Sequence, residues 1–144
     1  MLPEKLQDIL DLFQTMDEPE MRSMLLIDYA DKFTDVPARI AKRPFGKEHQ
    51  VPYCESEGYV WLEERPDKTI KLHFAVENPS GISAKALAAI LDETLSGQPA
   101  DVIAEVEPEI IYTFFGKNIT MGKGQGLTAL VTMVKSKAKK LIRH

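Results

Sequence analysis

The feature that most constrains the fold is a short alternating segment, residues 70–77. Apolar side chains occupy every second position in it: Ile70, Leu72, Phe74 and Val76. The positions between them are mostly polar, and alternation with a period of two predicts a β-strand with one apolar face and one largely solvated face. His73 falls on the polar face, so we expect it to be exposed.

A second run of β-branched and aromatic residues, Tyr59-Val60-Trp61-Leu62, precedes this strand. The four residues between the two runs, Arg65-Pro66-Asp67-Lys68, have a composition typical of a tight turn. We therefore predict an antiparallel hairpin with Phe74 on the face that packs against the core. The face that Trp61 occupies stays open, because the sequence does not fix the pairing register.

Helical patterns flank the hairpin on both sides. Before it, apolar side chains recur at helical spacing after Pro3 and again after Pro19, which predicts two helices packed as a hairpin around one core. After it, a longer helix capped by Ser83 is expected to end before Gly97, and two short helices that begin at prolines follow.

The last predicted helix starts at about Gln125 and ends in a basic tail that complements the helix dipole. The tail consists of Lys135, Lys137, Lys139, Lys140 and Arg143. Residues 122–126 before it are predicted to be a flexible lead and not a phosphate loop, because Gly124 stands where a Mg²⁺-binding Ser or Thr belongs. Strands and helices are thus segregated along the chain, which predicts an α+β fold. We expect one domain, residues 1–144, with a small antiparallel sheet packed against N-terminal and C-terminal helices.

Composition argues against several classes of function. The net charge is −4 with no strongly basic face, which disfavours nucleic acid as a partner. Three well-separated histidines and one cysteine show no metal-ligand spacing, so no bound metal is expected. No apolar run approaches the length of a signal or membrane segment, so we expect no membrane partner and a cytoplasmic, reducing location.

The single cysteine, Cys54, lies in a polar segment between Pro52 and Gly58, just before the first predicted strand. The acidic and hydroxyl residues that follow it favour water, so we predict a solvent-reachable thiol on a mobile, projecting loop. The alternative is a core cysteine that behaves as a small hydrophobe. The thiolate is the reactive form of cysteine, and no obvious base lies nearby. A thiol that is activated by docking to a partner therefore fits better than a hydrolytic nucleophile.

A basic cluster lies upstream of Cys54 in the irregular stretch 34–49. Its members are Arg39, Lys42, Arg43, Lys47 and His49. They either form a solvated connection or steer docking onto an acidic rim of a partner, and the docking role is our hypothesis. Lys47 and His49 would also stabilise a thiolate if they fold over Cys54, whereas the neighbouring glutamates would oppose it.

The segment His49-Gln50-Val51-Pro52-Tyr53-Cys54-Glu55-Ser56, followed by Trp61, resembles the cysteine motif of the SufE family of sulfur-acceptor proteins. The likeness extends over nearly the whole chain. Residues 97–103 are similar to a segment that follows the family's central helix, and Lys123-Gly124-Gln125-Gly126-Leu127 resembles the opening of its last helix. Tyr53, Glu55 and Lys123 depart from the residues that are usual in the family at those positions.

This resemblance implies the compact α+β fold shared with iron–sulfur scaffold proteins, and a persulfide carrier in place of a self-sufficient enzyme. Cys54 would accept sulfur from the persulfide of a SufS-type cysteine desulfurase, stimulate that enzyme, and pass the sulfur to iron–sulfur scaffold proteins. Pyridoxal phosphate resides on the desulfurase, so this chain is expected to hold no cofactor. Lys123 is a further candidate for partner binding because of its place in the family motif.

Two alternatives stay open at this point. The protein either docks on a desulfurase or scaffold as a regulator without loading Cys54, or uses Cys54 as a redox thiol that forms a sulfenic acid. The redox alternative lacks a second cysteine to form an intramolecular disulfide.

Overall fold

The computed structural model describes residues 1–142 and contains six α-helices and one two-stranded sheet within that range. The elements are α1 Glu4–Gln14, α2 Pro19–Asp31, β1 Gly58–Glu64, β2 Ile70–Val76, α3 Ile82–Leu95, α4 Ala100–Ile103, α5 Ile110–Phe115 and α6 Met121–Leu141, with a 3-10 turn at Lys47–His49. This order confirms the α+β prediction. Arg143 of the predicted basic tail and His144 lie outside the described residues.

Strands β1 and β2 form the predicted antiparallel hairpin, with Val60 opposite Phe74 and Trp61 opposite His73. At the turn, the Asp67 carboxylate accepts a hydrogen bond from the backbone N–H of Thr69 at 3.0 Å. The alternation of residues 70–76 does place Phe74 in the main core, where only 3% of its surface is exposed. The hairpin register therefore settles the face of Trp61 as well, because it lies on the side opposite to Val60.

The second face of the hairpin is also buried, which the sequence pattern did not indicate. Trp61 and Ala75 pack with Val36 in a smaller cluster, to which Phe45 adds an edge-on contact with the Trp61 ring. The irregular stretch 34–49 covers this face. The prediction that His73 is exposed is wrong: it is buried, and its Nε2 lies 2.9 Å from the Glu63 carboxylate.

Two arginines fasten the irregular stretch to the hairpin. Arg39 forms a bidentate ion pair with the Glu63 carboxylate, with nitrogen–oxygen distances of 2.7 and 3.1 Å. Arg43 holds Asp35 by two bonds of 3.0 Å and reaches Glu77 at 2.8 Å. Hydrogen bonds from Arg39, and then from His73, lower the pKa of Glu63 from 4.5 to about 2.

Helix α3 is the centre of the helical layer, and its face toward the core is almost completely buried. Helix α1 packs mainly on α3 and α5, and α2 packs mainly on α3. The first two helices thus share one core, as predicted. They pack mainly on α3 and not on each other, so they do not form the predicted helical hairpin. An edge-to-face contact between Phe13 and Phe114, with ring centres 5.1 Å apart, joins α1 to α5.

Two helix starts differ from the sequence prediction. Helix α6 begins at Met121, and the Thr120 hydroxyl caps it by accepting a bond from the backbone N–H of Lys123 at 3.3 Å. Residues 122–126 therefore belong to the helix and are not a flexible lead. Helix α3 begins after Gly81, so Ser83 lies inside its first turn and does not cap it.

We expect Phe74→Ala to lower the free energy of unfolding by about 3–5 kcal/mol, because it removes a fully packed aromatic side chain from the main core. Urea denaturation measures the change. Ile82→Ala is the control, because Ile82 is 49% exposed and its truncation leaves no core cavity. Equal stability of the two variants would contradict the packing of this strand.

A second expectation concerns pH. A carboxyl whose pKa is lowered on folding contributes stability that is present above its unfolded value, here 4.5, and is lost as the pH falls toward about 2. The stability difference between the native protein and Glu63→Gln should therefore be largest near neutral pH and should shrink between about pH 4.5 and 2. The control Glu20→Gln changes an exposed carboxyl on α2. A difference for Glu63→Gln that does not vary with pH would show that its ion pair contributes nothing.

Candidate functional site: the Cys54 loop

The Cys54 loop, residues 51–58, is closed by pairing across its base. The backbone N–H of Val51 donates to the carbonyl of Gly58 at 2.8 Å, and within the loop the N–H of Glu57 donates to the carbonyl of Cys54 at 3.0 Å. Two loop residues, Tyr53 with φ 59° and Glu57 with φ 53°, adopt the left-handed backbone conformation. The loop is therefore a compact turn with internal hydrogen bonds.

Three neighbouring segments hold the loop in place. The carbonyl of Ser56 accepts a hydrogen bond from the N–H of Asn78 at 3.1 Å. At the start of α3, a Cβ added to Gly81 would lie 2.8 Å from the Cβ of Ser56. On α6, a Cβ added to Gly126 would lie 2.9 Å from the carbonyl oxygen of Tyr53 and 3.2 Å from the Cα of Cys54. The expectation of a projecting loop is therefore wrong, because the loop lies directly against α3 and α6.

The Cys54 thiol lies between the core and the solvent. The side chain is half-buried and packs on the edge of the main core, and its Sγ is 3.5 Å from the position that a Cβ on Gly58 would take. The thiol is neither fully exposed nor part of the closed core, so neither alternative describes it completely. The polar residues that follow Cys54 indicate their own exposure and not that of the sulfur.

A small cavity of about 190 Å³ adjoins the thiol, between the loop and the first two turns of α6. It is lined by Tyr53, Cys54, Glu55, Ser56, Ser83, Ala84, Thr120, Gly122, Lys123, Gly126 and Leu127. Lys123 and the N-terminal end of α6 bring positive charge to this cavity, while Glu55 brings one negative charge. The arrangement provides a reactive atom with sheltered space beside it.

Of the predicted site residues, Lys123 and Lys47 each line a hollow that Cys54 also lines. Lys123 lines the cavity, and Lys47 lines a second, more open hollow of about 600 Å³ that also includes Cys54 and Tyr53. Both lysines are exposed. The structure thus brings together the thiol and two cations from distant parts of the sequence.

His49 contacts other groups. Its Nδ1 lies 3.2 Å from the ammonium of Lys137 on α6, and its ring lies against Trp61 with centres 5.2 Å apart. Burial, followed by the charge of Lys140, lowers the pKa of Lys137, while Glu48 opposes the shift. His49 therefore connects the start of the Cys54 loop to the second half of α6.

The other predicted docking residues do not line either hollow within the described part of the chain. Arg39 and Arg43 form the ion pairs to the hairpin given above, and Lys42 is exposed. Their role in partner binding stays a prediction. Charge reversal at the two arginines would also break contacts that hold the fold, so it cannot test docking alone.

Sequence reasoning missed the residues of α3, of α6 and of the α6 cap that line the cavity, among them Ser83, Gly126 and Thr120. One signal was available. Three glycines, at 122, 124 and 126, lie at the start of an apolar helical pattern, and a residue without a side chain allows another backbone to approach closely. Gly126 has that role here.

Residues 1–142 contain no group of three or more His, Cys, Asp or Glu side chains placed to hold a metal ion. In the same range, no helix is both long and apolar enough to cross a membrane.

We expect Gly126→Ala to disturb the loop, because the new methyl group would lie 2.9 Å from the carbonyl oxygen of Tyr53. The free energy of unfolding should fall by about 1–3 kcal/mol, and Cys54 should react several-fold faster with a thiol reagent such as Ellman's reagent. Gly122→Ala is the matched control, since its Cβ meets nothing within 4 Å. If both variants had native stability and native thiol reactivity, the close approach at Gly126 would be refuted.

Three comparisons place the chain among known proteins. The family model described as "SufE: Fe-S metabolism associated domain" matches residues 7–138. A relative from Arabidopsis thaliana, "SufE-like protein 1, chloroplastic/mitochondrial", is 28% identical over 138 residues, which cover 95% of this chain and 35% of that protein. This chain therefore spans about a third of the length of that relative.

A solved structure from Thermus thermophilus, titled as the solution structure of a hypothetical protein, has the same fold. The TM-score is 0.78 at 26% identity, over 98% of both chains. The family match spans both the Cys54 loop and the α6 residues that line its cavity. The chain thus belongs to the SufE family of iron–sulfur metabolism.

Proposed function

We propose that this protein is a persulfide carrier, which accepts sulfur on Cys54 from a SufS-type cysteine desulfurase and passes it to iron–sulfur scaffold proteins. The observation that carries the proposal is the position of the chain's one thiol beside a cavity of about 190 Å³. A site for a single water molecule needs about 10–15 Å³ of such space. The cavity therefore has room for one added sulfur atom beside Cys54.

The transfer step needs no oxidant. The Cys54 thiolate attacks the outer sulfur of the desulfurase persulfide, a new S–S bond forms on Cys54, and the S–S bond of the donor breaks. The donor cysteine leaves as a thiolate and takes up the proton that its persulfide carried. The desulfurase is thereby returned to its starting state, which is the physical reason why the carrier would stimulate its turnover.

The division of labour follows from the residues present. Pyridoxal phosphate on the desulfurase supplies the bond-breaking chemistry that frees sulfur from cysteine. This chain supplies an acceptor thiol, a sheltered position for the transferred sulfur, and positive charge from Lys123 beside it. A persulfide held there is partly shielded from solvent thiols that would otherwise reduce it.

Transfer of sulfur, in loading as in delivery, requires an accessible thiol in place of a sheltered one. Two sulfur atoms must come into bonding contact in each transfer, and the loop that carries the half-buried Sγ of Cys54 is packed against Gly81 and Gly126. We therefore expect the loop to open when the desulfurase docks.

The test is incubation with a pyridoxal-phosphate cysteine desulfurase and free cysteine, followed by intact mass measurement. We expect the mass to rise by one sulfur atom and to return on reduction, and we expect Cys54→Ser neither to load nor to stimulate the desulfurase. If Cys54→Ser stimulates turnover as well as the native protein does, the transfer proposal is wrong and the protein is a regulator.

A further inference from the structure

Tyr53 combines two unfavourable features. Its backbone has φ 59°, a conformation that glycine adopts freely and that is costly for a residue with a side chain. Its side chain is 76% exposed, which leaves a large aromatic surface in water. Strain at a residue beside a reactive group is a reason to ask what the side chain does.

Packing explains the backbone of Tyr53 but not its ring. The carbonyl oxygen of Tyr53 faces Gly126 so closely that a Cβ there would lie at 2.9 Å, and this contact fixes the turn. Within residues 1–142 the ring makes no hydrogen bond and no contact with another ring. A glycine would satisfy the backbone without strain, so nothing inside the described chain requires tyrosine at this position.

The surroundings of the ring are suited to a partner. Tyr53 borders the Cys54 cavity, the hollow that includes Lys47, and a third groove of about 600 Å³ on the outer face of α6. The groove is uncharged and mostly apolar, lined by Pro52, Tyr53, Gln125, Thr128, Ala129, Thr132, Met133 and Ser136. Lys123 and Lys47 line the other two hollows that Tyr53 borders, and neither forms an ion pair within the described residues.

Tyr53 directly precedes Cys54 in the chain, which places it near any sulfur donor. Consecutive Cα atoms are about 3.8 Å apart, so a partner that brings its sulfur into contact with Cys54 comes within reach of the exposed Tyr53 ring. Exposed aromatic side chains are the usual anchors of protein interfaces, because they bury a large area with few rotatable bonds.

We propose that Tyr53 is a recognition residue for the sulfur donor. Its ring enters an apolar pocket at the entrance to the desulfurase active site, and carboxylates around that pocket face Lys47 and Lys123. This inference rests on the proposed function. It adds that the choice of desulfurase depends on Tyr53, while the transfer chemistry depends on Cys54.

The experiment uses the full chain and the desulfurase that loads native Cys54, with persulfide transfer measured as a function of carrier concentration. For Tyr53→Gly we expect KM for the carrier to rise at least about 10-fold while kcat changes less than about 2-fold. The melting temperature should stay unchanged or rise by a few degrees, because glycine relieves the left-handed strain. Tyr53→Phe should keep the native KM, since it retains the ring.

Lys68→Gly is the matched control. Lys68 has φ 72° at the opposite end of the hairpin, so glycine relieves the same kind of strain away from the thiol. We expect it to change the melting temperature in the same direction and to leave KM unaltered. Tyr53→Asn provides a second variant without the ring, because asparagine tolerates the left-handed conformation.

The outcomes separate the two proposals. A native KM for both Tyr53→Gly and Tyr53→Asn, with native loading intact, overturns the recognition role and leaves the carrier function standing. A loss confined to kcat also overturns it, because the ring would then act on the transfer step and not on binding. If native Cys54 is not loaded by any desulfurase, the carrier function fails and the recognition role fails with it.

Discussion

The close approach of the Cys54 loop to α6 at Gly126 is the contact on which the site depends. A side chain at residue 126 would lie 2.9 Å from the carbonyl oxygen of Tyr53, so only glycine lets the loop backbone lie on the helix. Because the loop lies there, the first turns of α6 form one wall of the cavity beside the thiol. The same contact fixes the left-handed turn at Tyr53 and directs its ring into solvent.

The irregular stretch 34–49 has a comparable role for the hairpin. A two-stranded sheet is at best marginally stable alone, and here it is covered by helices on one face and by this stretch on the other. The pairs formed by Arg39 and Arg43 hold the cover in place, and the aromatic cluster around Trp61 fills the space beneath it. The base of the Cys54 loop is thereby built on a hairpin that is buried on both sides.

Much of this architecture could be predicted because it follows from local periodicity. Alternation gave the strand at 70–76, and helical spacing with terminal prolines gave α1 and α2. The errors arise where tertiary contacts override local preference. The start of α6 was missed because glycine disfavours helices, whereas Gly126 lets the loop, and Gly124 lets the side chains of Ile119 and Tyr112, lie close to the helix. His73 was misplaced because alternation separates two faces without showing that a distant segment covers the second.

The candidate site was predicted only in part for the same reason. The single cysteine and the resemblance of its motif identified Cys54 and Lys123 from the sequence. The cavity between them is a product of three segments that lie far apart in the chain, and no local pattern encodes it. Arg39 and Arg43 looked like free cations in a basic cluster, because their acidic partners are spread from residue 35 to residue 77.

In the proposed carrier, storage and delivery place opposite demands on the loop. Storage needs the sulfur to be sheltered, which the packing of the loop against α3 and α6 provides. Transfer needs the loop to move away from these helices. The left-handed residues Tyr53 and Glu57 reduce the cost of opening, because each stores strain of about 1–2 kcal/mol that is released when the turn unfolds. That release offsets part of the loss of the backbone bonds at 51–58, worth about 1 kcal/mol each.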